Sequence, residues 1–95
     1  MPKSIRTREA TDDLEGIVRY IARDNLSAAL AWLDQMESLF RLLATQPEMG
    51  ERVATRRYGD CRRYVAGSYV VYYWAIREGV EILHVVHGAR EERRI

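Results

Sequence analysis

The sequence predicts an α+β domain in which a helical hairpin packs on a mostly antiparallel, twisted sheet, in the order β-α-α-β-β-β. Residues 9–45 show two stretches of helical periodicity, and residues 62–86 are rich in β-branched and aromatic side chains. Glycine-containing turns divide this second part into strands. A chain of 95 residues is long enough for one modest core, so we expect residues 1–95 to form a single domain.

The first strand and the first helix are predicted near the start of the chain. Lys3 to Thr7 alternates around Ile5, as in a short strand. From Glu9 the period becomes that of an amphipathic helix, with Thr7 in the N-cap position. Gly16 lies inside this helix, either because another element approaches closely or because it is simply tolerated. The apolar stripe comprises Ala10, Leu14, Ile17, Val18 and Ile21.

A second helix is predicted to run to about Thr45, with Asn25 or Ser27 as its N-cap. Pro47 ends it, because the residue before a proline is displaced from the α region. Since few residues separate the two helices, they should form an antiparallel hairpin. The stripe of the second helix comprises Ala29, Trp32, Leu33, Met36, Leu39, Phe40 and Leu43.

The second half of the chain is predicted to form the sheet. Glu51 to Arg57 is predicted to be an edge strand, followed by a turn at residues 58–60. Three further strands are predicted between Arg62 and Arg90. Gly67 suits the first position of a type II′ turn. The turn Arg77-Glu78-Gly79 is expected to be a three-residue loop with left-handed glycine. Residues 80–86 are apolar at both alternating sets, which is typical of an inner strand covered on both faces.

Charge is unevenly distributed, although the net charge is only +1. Residues 1–50 carry six basic and eight acidic side chains, whereas residues 51–95 carry nine and six. The arginines of the sheet half form either a basic patch for phosphates or an acidic protein, or an ordinary solvated rim. So low a total disfavours a protein whose main task is to grip a nucleic-acid backbone.

No metal site, cofactor or nucleophile is indicated by residue spacing. His84 and His87 lie three residues apart on one strand, so their side chains point to opposite faces and cannot bind one metal together. His84 is expected to be half-buried. Cys61 is the only cysteine and lacks a C-x-x-C partner, and no serine lies in an elbow motif. Without an apolar secretory segment or membrane span, we expect a cytoplasmic protein.

Aromatic residues cluster in the predicted strands, where sheet packing is their simplest role. If some of them are exposed beside Trp32, they would form an aromatic groove for a partner peptide. The cluster comprises Tyr64, Tyr69, Tyr72, Tyr73 and Trp74.

Several segments together resemble the ParE/RelE toxin superfamily. They are Ala10-x-x-Asp13-Leu14-x-x-Ile17, then Tyr20-Ile21-Ala22, Asp24-Asn25, Ala28-Ala29, Leu43-Ala44-x-x-Pro47-x-x-Gly50, Arg63-x-x-x-x-Gly67-Ser68-Tyr69-Val70-Val71-x-Tyr73 and residues 80–90. The resemblance implies the toxin of a bacterial type II toxin–antitoxin pair that arrests growth and is neutralised by a small ParD-like antitoxin.

The resemblance leaves two targets open. ParE-like members poison DNA gyrase by binding, whereas RelE-like members cleave mRNA on the ribosome with basic residues and a C-terminal tyrosine or histidine. Lys3 is the only lysine here, and no tyrosine or histidine follows Arg90. The ending His87-Gly88-Ala89-Arg90 resembles the ParE branch, which we favour. The enzymatic alternative would use His87 as acid or base, with Arg62 and Arg90 stabilising the phosphorane.

Two sets of binding residues follow from these hypotheses. Target binding is assigned to the arginines of the sheet half and the tail: Arg62, Arg63, Arg90, Arg93 and Arg94. Antitoxin binding is assigned to Trp32, Leu33 and Met36, on the crowded apolar face of the second helix. The antitoxin is expected to lie as a helix or extended segment between the helical hairpin and the sheet.

Overall fold

In the computed structural model, which describes residues 1–90, two helices pack on one face of a five-stranded mixed sheet. The elements are β1 (Lys3–Arg6), α1 (Arg8–Ala22), α2 (Leu26–Thr45), β2 (Glu51–Thr55), β3 (Gly59–Ala66), β4 (Tyr69–Ile76) and β5 (Gly79–His87). Short 3₁₀ helices occupy Pro47–Met49 and Gly88–Arg90. The predicted α+β class is confirmed, and the structure has the four strands after the helices that were located one by one in the sequence, one more than the summary order β-α-α-β-β-β counts.

The sheet has the spatial order β1-β5-β4-β3-β2. Only β1 and β5 are parallel, and the other three pairs are antiparallel hairpins, as predicted. Between β1 and β4, β5 is an inner strand whose residues 82–86 are all buried. The expectation of a strand covered on both faces is therefore confirmed.

Caps and turns follow from local chemistry. The Thr7 hydroxyl accepts a hydrogen bond from Ala10 N at 3.0 Å, and the Asn25 carboxamide accepts one from Ala28 N at 3.0 Å. Gly67 has a φ of 62°, which suits the predicted type II′ turn. Gly16 is exposed, and a Cβ built there meets nothing within 4 Å, so it is tolerated rather than required.

Two turn predictions were wrong. Ile76 pairs directly with Gly79, so the loop has two residues, Arg77 and Glu78, and Gly79 already belongs to β5. A Cβ on Gly79 would lie 1.9 Å from the Lys3 carbonyl oxygen, so the close approach of β1 requires glycine. The turn after β2 lies at residues 56–58 rather than 58–60, and β3 begins at Gly59, whose φ of 70° favours glycine.

Apolar side chains form a cluster on each face of the sheet. The helices cover the larger cluster, in which Phe40, Leu43 and Tyr73 are among the largest fully buried side chains. The opposite face carries a smaller cluster with Cys61, Tyr72 and Leu83. No helix among residues 1–90 is both long and apolar enough to cross a membrane.

Candidate functional surface

The C-terminal end of β5 brings together aromatic side chains from three elements. His87 pairs with Tyr69 on β4, and Tyr69 pairs with Ala66 on β3. These three residues form the last paired row at this end of the sheet. The ring centroids of Tyr69 and His87 are 5.4 Å apart, and those of Trp32 and Tyr69 are 5.2 Å apart. Both are tilted or edge-on contacts at distances favourable for aromatic pairs. Trp32 on α2 is thereby linked to the end of β5.

Tyr20 on α1 extends this surface. Burial, and to a lesser degree the Tyr20 phenol, raises the pKa of Tyr69. Tyr20 is 67% exposed, His87 is exposed, and Trp32 and Tyr69 are half-buried. We refer to Tyr20, Trp32, Tyr69 and His87 as the aromatic surface. Of the predicted aromatic cluster, Tyr64, Tyr69 and Trp74 are half-buried, whereas Tyr72 and Tyr73 are buried in the two apolar clusters, so the aromatic groove stays a prediction.

Arg90 follows the aromatic surface directly. The Gly88 N–H donates to the Ser68 carbonyl at 2.9 Å, and this bond holds the 3₁₀ turn against the β3–β4 hairpin. Arg90 is exposed and makes no ion pair within residues 1–90. The other two predicted contacts of the tail, Arg93 and Arg94, lie outside the described residues.

Arg62 has a structural role that the sequence did not indicate. Its guanidinium donates to the Gly50 carbonyl at 2.7 Å and to the Glu48 carbonyl at 3.3 Å. Beside it, the Tyr73 hydroxyl donates to the Pro47 carbonyl at 2.7 Å and accepts from Gly50 N at 2.8 Å. We call Tyr73 and Arg62 the loop clamp, because together they hold the connection from α2 to β2.

Other arginines of the predicted basic rim also have partners inside the fold. Arg63 pairs with Glu51, which lies opposite it on β2. Arg57 pairs with Glu9 at 2.8 Å and so ties the β2–β3 turn to the start of α1. The guanidiniums of the rim are therefore not equally available to a partner, and Arg90 is more accessible than Arg62 or Arg63.

The three residues of the ribonuclease alternative do not converge. Arg62 pairs with Tyr73, four residues along β4 from the Tyr69 that pairs with His87. At about 3.3 Å per residue and about 4.8 Å per strand, Arg62 lies about 13 Å along and about 10 Å across the sheet from His87. His87 and Arg90 are near in sequence, but His87 Nδ1 accepts a hydrogen bond from Ala89 N at 3.2 Å.

The predicted antitoxin contacts divide by burial. Met36 is 3% exposed and packs in the helix-covered cluster, so its side chain offers little surface. Trp32 and Leu33 are half-buried. Trp32 and Leu33 stay predictions, and Trp32 has the additional support of its contact with Tyr69.

A buried pair between α1 and β5 was missed by the sequence analysis. Asp13 accepts a hydrogen bond from Val85 N at 2.9 Å and contacts His84 Nδ1. His84 is 1% exposed, so the expectation of a half-buried residue was wrong, and the Asp13 side chain is only 10% exposed. The Asp13 carboxylate accepts its backbone hydrogen bond from the edge of β5 beyond Ile82, where the pairing with β1 ends. No local sequence pattern indicates this contact.

Within residues 1–90, neither an activated cysteine nor a metal-binding cluster is present. Burial raises the pKa of the Cys61 thiol, which disfavours the nucleophilic thiolate. Residues 1–90 contain no group of three or more histidine, cysteine, aspartate or glutamate side chains placed to hold a metal ion.

Comparison with known families assigns the class of protein. A family model for toxins of type II toxin–antitoxin systems matches residues 5–92 of this chain, which is nearly its whole length. The matching family is described as the ParE toxin of the type II toxin–antitoxin system parDE, and the chain belongs to it. The resemblance drawn from the sequence is thus confirmed, and membership implies an antitoxin partner. Curated proteins give no match to the chain.

Proposed function

We propose that this toxin acts by binding DNA gyrase in the cytoplasm, arrests growth, and is neutralised by a ParD-like antitoxin. The observation that carries the proposal is the exposed end of β5, where Arg90 follows the aromatic surface and has no ion pair within the described residues. An accessible guanidinium can donate several hydrogen bonds to a carboxylate or phosphate of a macromolecular target. Arg63 and the tail residues Arg93 and Arg94 are proposed as further contacts.

The arrangement gives less support to a metal-independent ribonuclease. Such chemistry needs an acid, a base and cations around one phosphodiester. Arg62 is engaged with the carbonyls of Glu48 and Gly50 and lies far from His87. The RelE-like alternative, with the ribosome and mRNA as partners, is therefore the second hypothesis rather than the first.

A supercoiling assay with purified gyrase tests the proposal. We expect inhibition by the wild-type chain, and a loss of about tenfold or more for Arg90→Glu. Arg77→Glu is the matched control, since it makes the same charge change in the exposed β4–β5 turn at the other end of β5. Absence of inhibition by micromolar wild-type protein would reject gyrase as the target. Codon-dependent mRNA cleavage on ribosomes that is lost in His87→Ala would establish the alternative.

A further inference from the structure

The β2–β3 hairpin carries two arginines directly opposite each other. Arg52 on β2 pairs with Arg62 on β3, so both side chains project from the same face of the sheet. The helices pack on this face, because Tyr64, two residues beyond Arg62, contacts the helix-covered cluster. Like charges in one cross-strand pair destabilise a sheet. The repulsion between Arg52 and Arg62 therefore works against the fold, which points to a role in binding.

The neighbouring row of the hairpin shows the contrary arrangement. Glu51 lies opposite Arg63, and their side chains form an ion pair. Arg52 is exposed and forms no ion pair or side-chain hydrogen bond within residues 1–90. Asp60, which lies opposite Ala54 in the next row of the Arg52 face, has no ion pair in that part of the chain either. The charge of Arg52 is consequently left for a ligand.

Arg62 presents part of its guanidinium in a fixed position. Both of its hydrogen bonds, to the carbonyls of Gly50 and Glu48, are made by Nη1. Its Nη2 and Nε donate to no group within the described residues. A planar guanidinium that is held at one nitrogen loses little further freedom when the others bind. Arg62 can therefore serve the fold and a ligand at the same time.

A third arginine extends the positive charge along the hairpin. Arg56, in the exposed turn, follows Arg52 by four residues, which is about 13 Å along an extended chain. One strand of DNA rises about 3.4 Å per nucleotide, so this span matches about four successive phosphates. Closely spaced positive charges are favourable beside such a polyanion, because each of them releases condensed counterions.

The same stretch lacks the main feature of a protein interface. The exposed positions of β2 are Glu51, Arg52 and Ala54, none of which carries a large apolar side chain. The core of a protein–protein interface is apolar and poor in charged residues. Phosphate contacts, in contrast, are made by arginines without such a core. The observations thus favour a nucleic-acid backbone over an acidic protein as the ligand.

We propose that Arg52, with Arg56 and the remaining nitrogens of Arg62, contacts the phosphate backbone of the DNA that gyrase holds. The proposal rests on the proposed function, because gyrase brings the DNA to the toxin. Arg52 lies about 13 Å along and about 14 Å across the sheet from His87, so this contact is separate from the end of β5. With a net charge of only +1, the toxin adds this contact to its protein contact rather than relying on it.

The first test measures binding of the toxin alone to a fluorescent DNA duplex by anisotropy at several salt concentrations. We expect Arg52→Glu to weaken binding about threefold or more and to make the slope of log K against log salt less negative by about 1. Asp60→Asn should strengthen binding, because it removes an acid from the same face. Arg23→Glu is the matched control, since it makes the same charge change in the exposed α1–α2 turn and should leave the slope unchanged.

Two further measurements guard this test. Arg52→Glu places opposite charges across the row with Arg62, so its denaturant midpoint should not fall. A fluorescent polyglutamate peptide serves as a second probe. Loss of peptide binding without loss of DNA binding in Arg52→Glu would assign the arginines to an acidic protein and overturn the proposal, as would a DNA affinity and salt slope equal to those of wild type.

The second test compares toxin binding to immobilised gyrase with and without bound DNA. We expect Arg52→Glu to weaken binding only when DNA is present, whereas Arg90→Glu should weaken it in both states. An equal loss for Arg52→Glu in both states would show a protein contact and reject the phosphate site. Failure of the wild-type toxin to bind gyrase in either state would instead reject the proposed function, and the duplex titration would still decide whether Arg52 binds phosphate.

Discussion

The loop clamp and the aromatic surface use similar side chains in opposite ways. At the clamp, the Tyr73 ring is fully buried, its hydroxyl makes two hydrogen bonds, and Arg62 binds two backbone carbonyls. At the aromatic surface, Tyr20 is 67% exposed and Arg90 is without an ion pair in the described chain. The comparison teaches that residue type alone does not separate arginines and tyrosines that hold the fold from those that stay exposed. What separates them is whether backbone groups lie within reach.

The largest expected difference is between two tyrosine truncations. Tyr73→Ala should lower the free energy of unfolding by about 3–5 kcal/mol, because it leaves a cavity and unpairs the buried Gly50 N–H. Tyr20→Ala should change it by less than about 0.5 kcal/mol, since that side chain is mostly in solvent. Urea denaturation of the two variants measures both values. Equal losses would show that Tyr20 is a core residue and would remove the basis for the aromatic surface.

The buried pair between α1 and β5 is the next most sensitive site. Asp13→Ala leaves His84 Nδ1 and the Val85 N–H without this carboxylate, so we expect a loss of about 2–4 kcal/mol. Asp12→Ala is the matched control, because Asp12 is exposed and forms a surface pair with Arg8 at 3.8 Å. Its effect should be about 0.5 kcal/mol or less. Hydrogen exchange at Val85 should accelerate in the first variant only, and an unchanged rate would contradict the proposed role of Asp13.

Truncation of Arg62 and Arg90 should separate stability from target binding. Arg62→Ala removes charge-assisted bonds to two carbonyls and should cost about 1–2 kcal/mol of folding free energy. Arg90→Ala should leave thermal stability nearly unchanged and weaken gyrase inhibition. Melting temperature and a supercoiling assay on the same samples give the two readouts. If Arg62→Ala instead kept full stability and lost inhibition, the clamp interpretation would be wrong.

The smallest expected change is a gain. Gly16→Ala places a methyl group in open space on an exposed helical position, so helix propensity alone should raise the free energy of unfolding by about 1 kcal/mol. Gly79→Ala is the informative contrast, because the same methyl would collide with the Lys3 carbonyl. Denaturant midpoints that fall for both variants would indicate that α1 cannot tolerate the added side chain.

Sequence patterns were sufficient for the elements because the responsible forces are local. Helical periodicity located α1 and α2. Thr7 marks the start of α1, and Asn25, one of the two proposed caps, marks the start of α2. Pro47 marks the end of the hairpin. The Gly79 turn was misjudged for a non-local reason. That glycine is required by the neighbouring β1 backbone, which lies far away in the sequence.

By itself, the sequence determined the α+β class and the toxin family, because both depend on patterns that are read along the chain. Only the tertiary structure decided which arginines are available and which acid is buried. Asp13 and His84 are 71 residues apart, and Arg57 meets Glu9 across 48 residues. Such contacts depend on where α1 crosses the edge of β5 and where the β2–β3 turn ends. Their partners are fixed by packing, and no spacing along the chain encodes them.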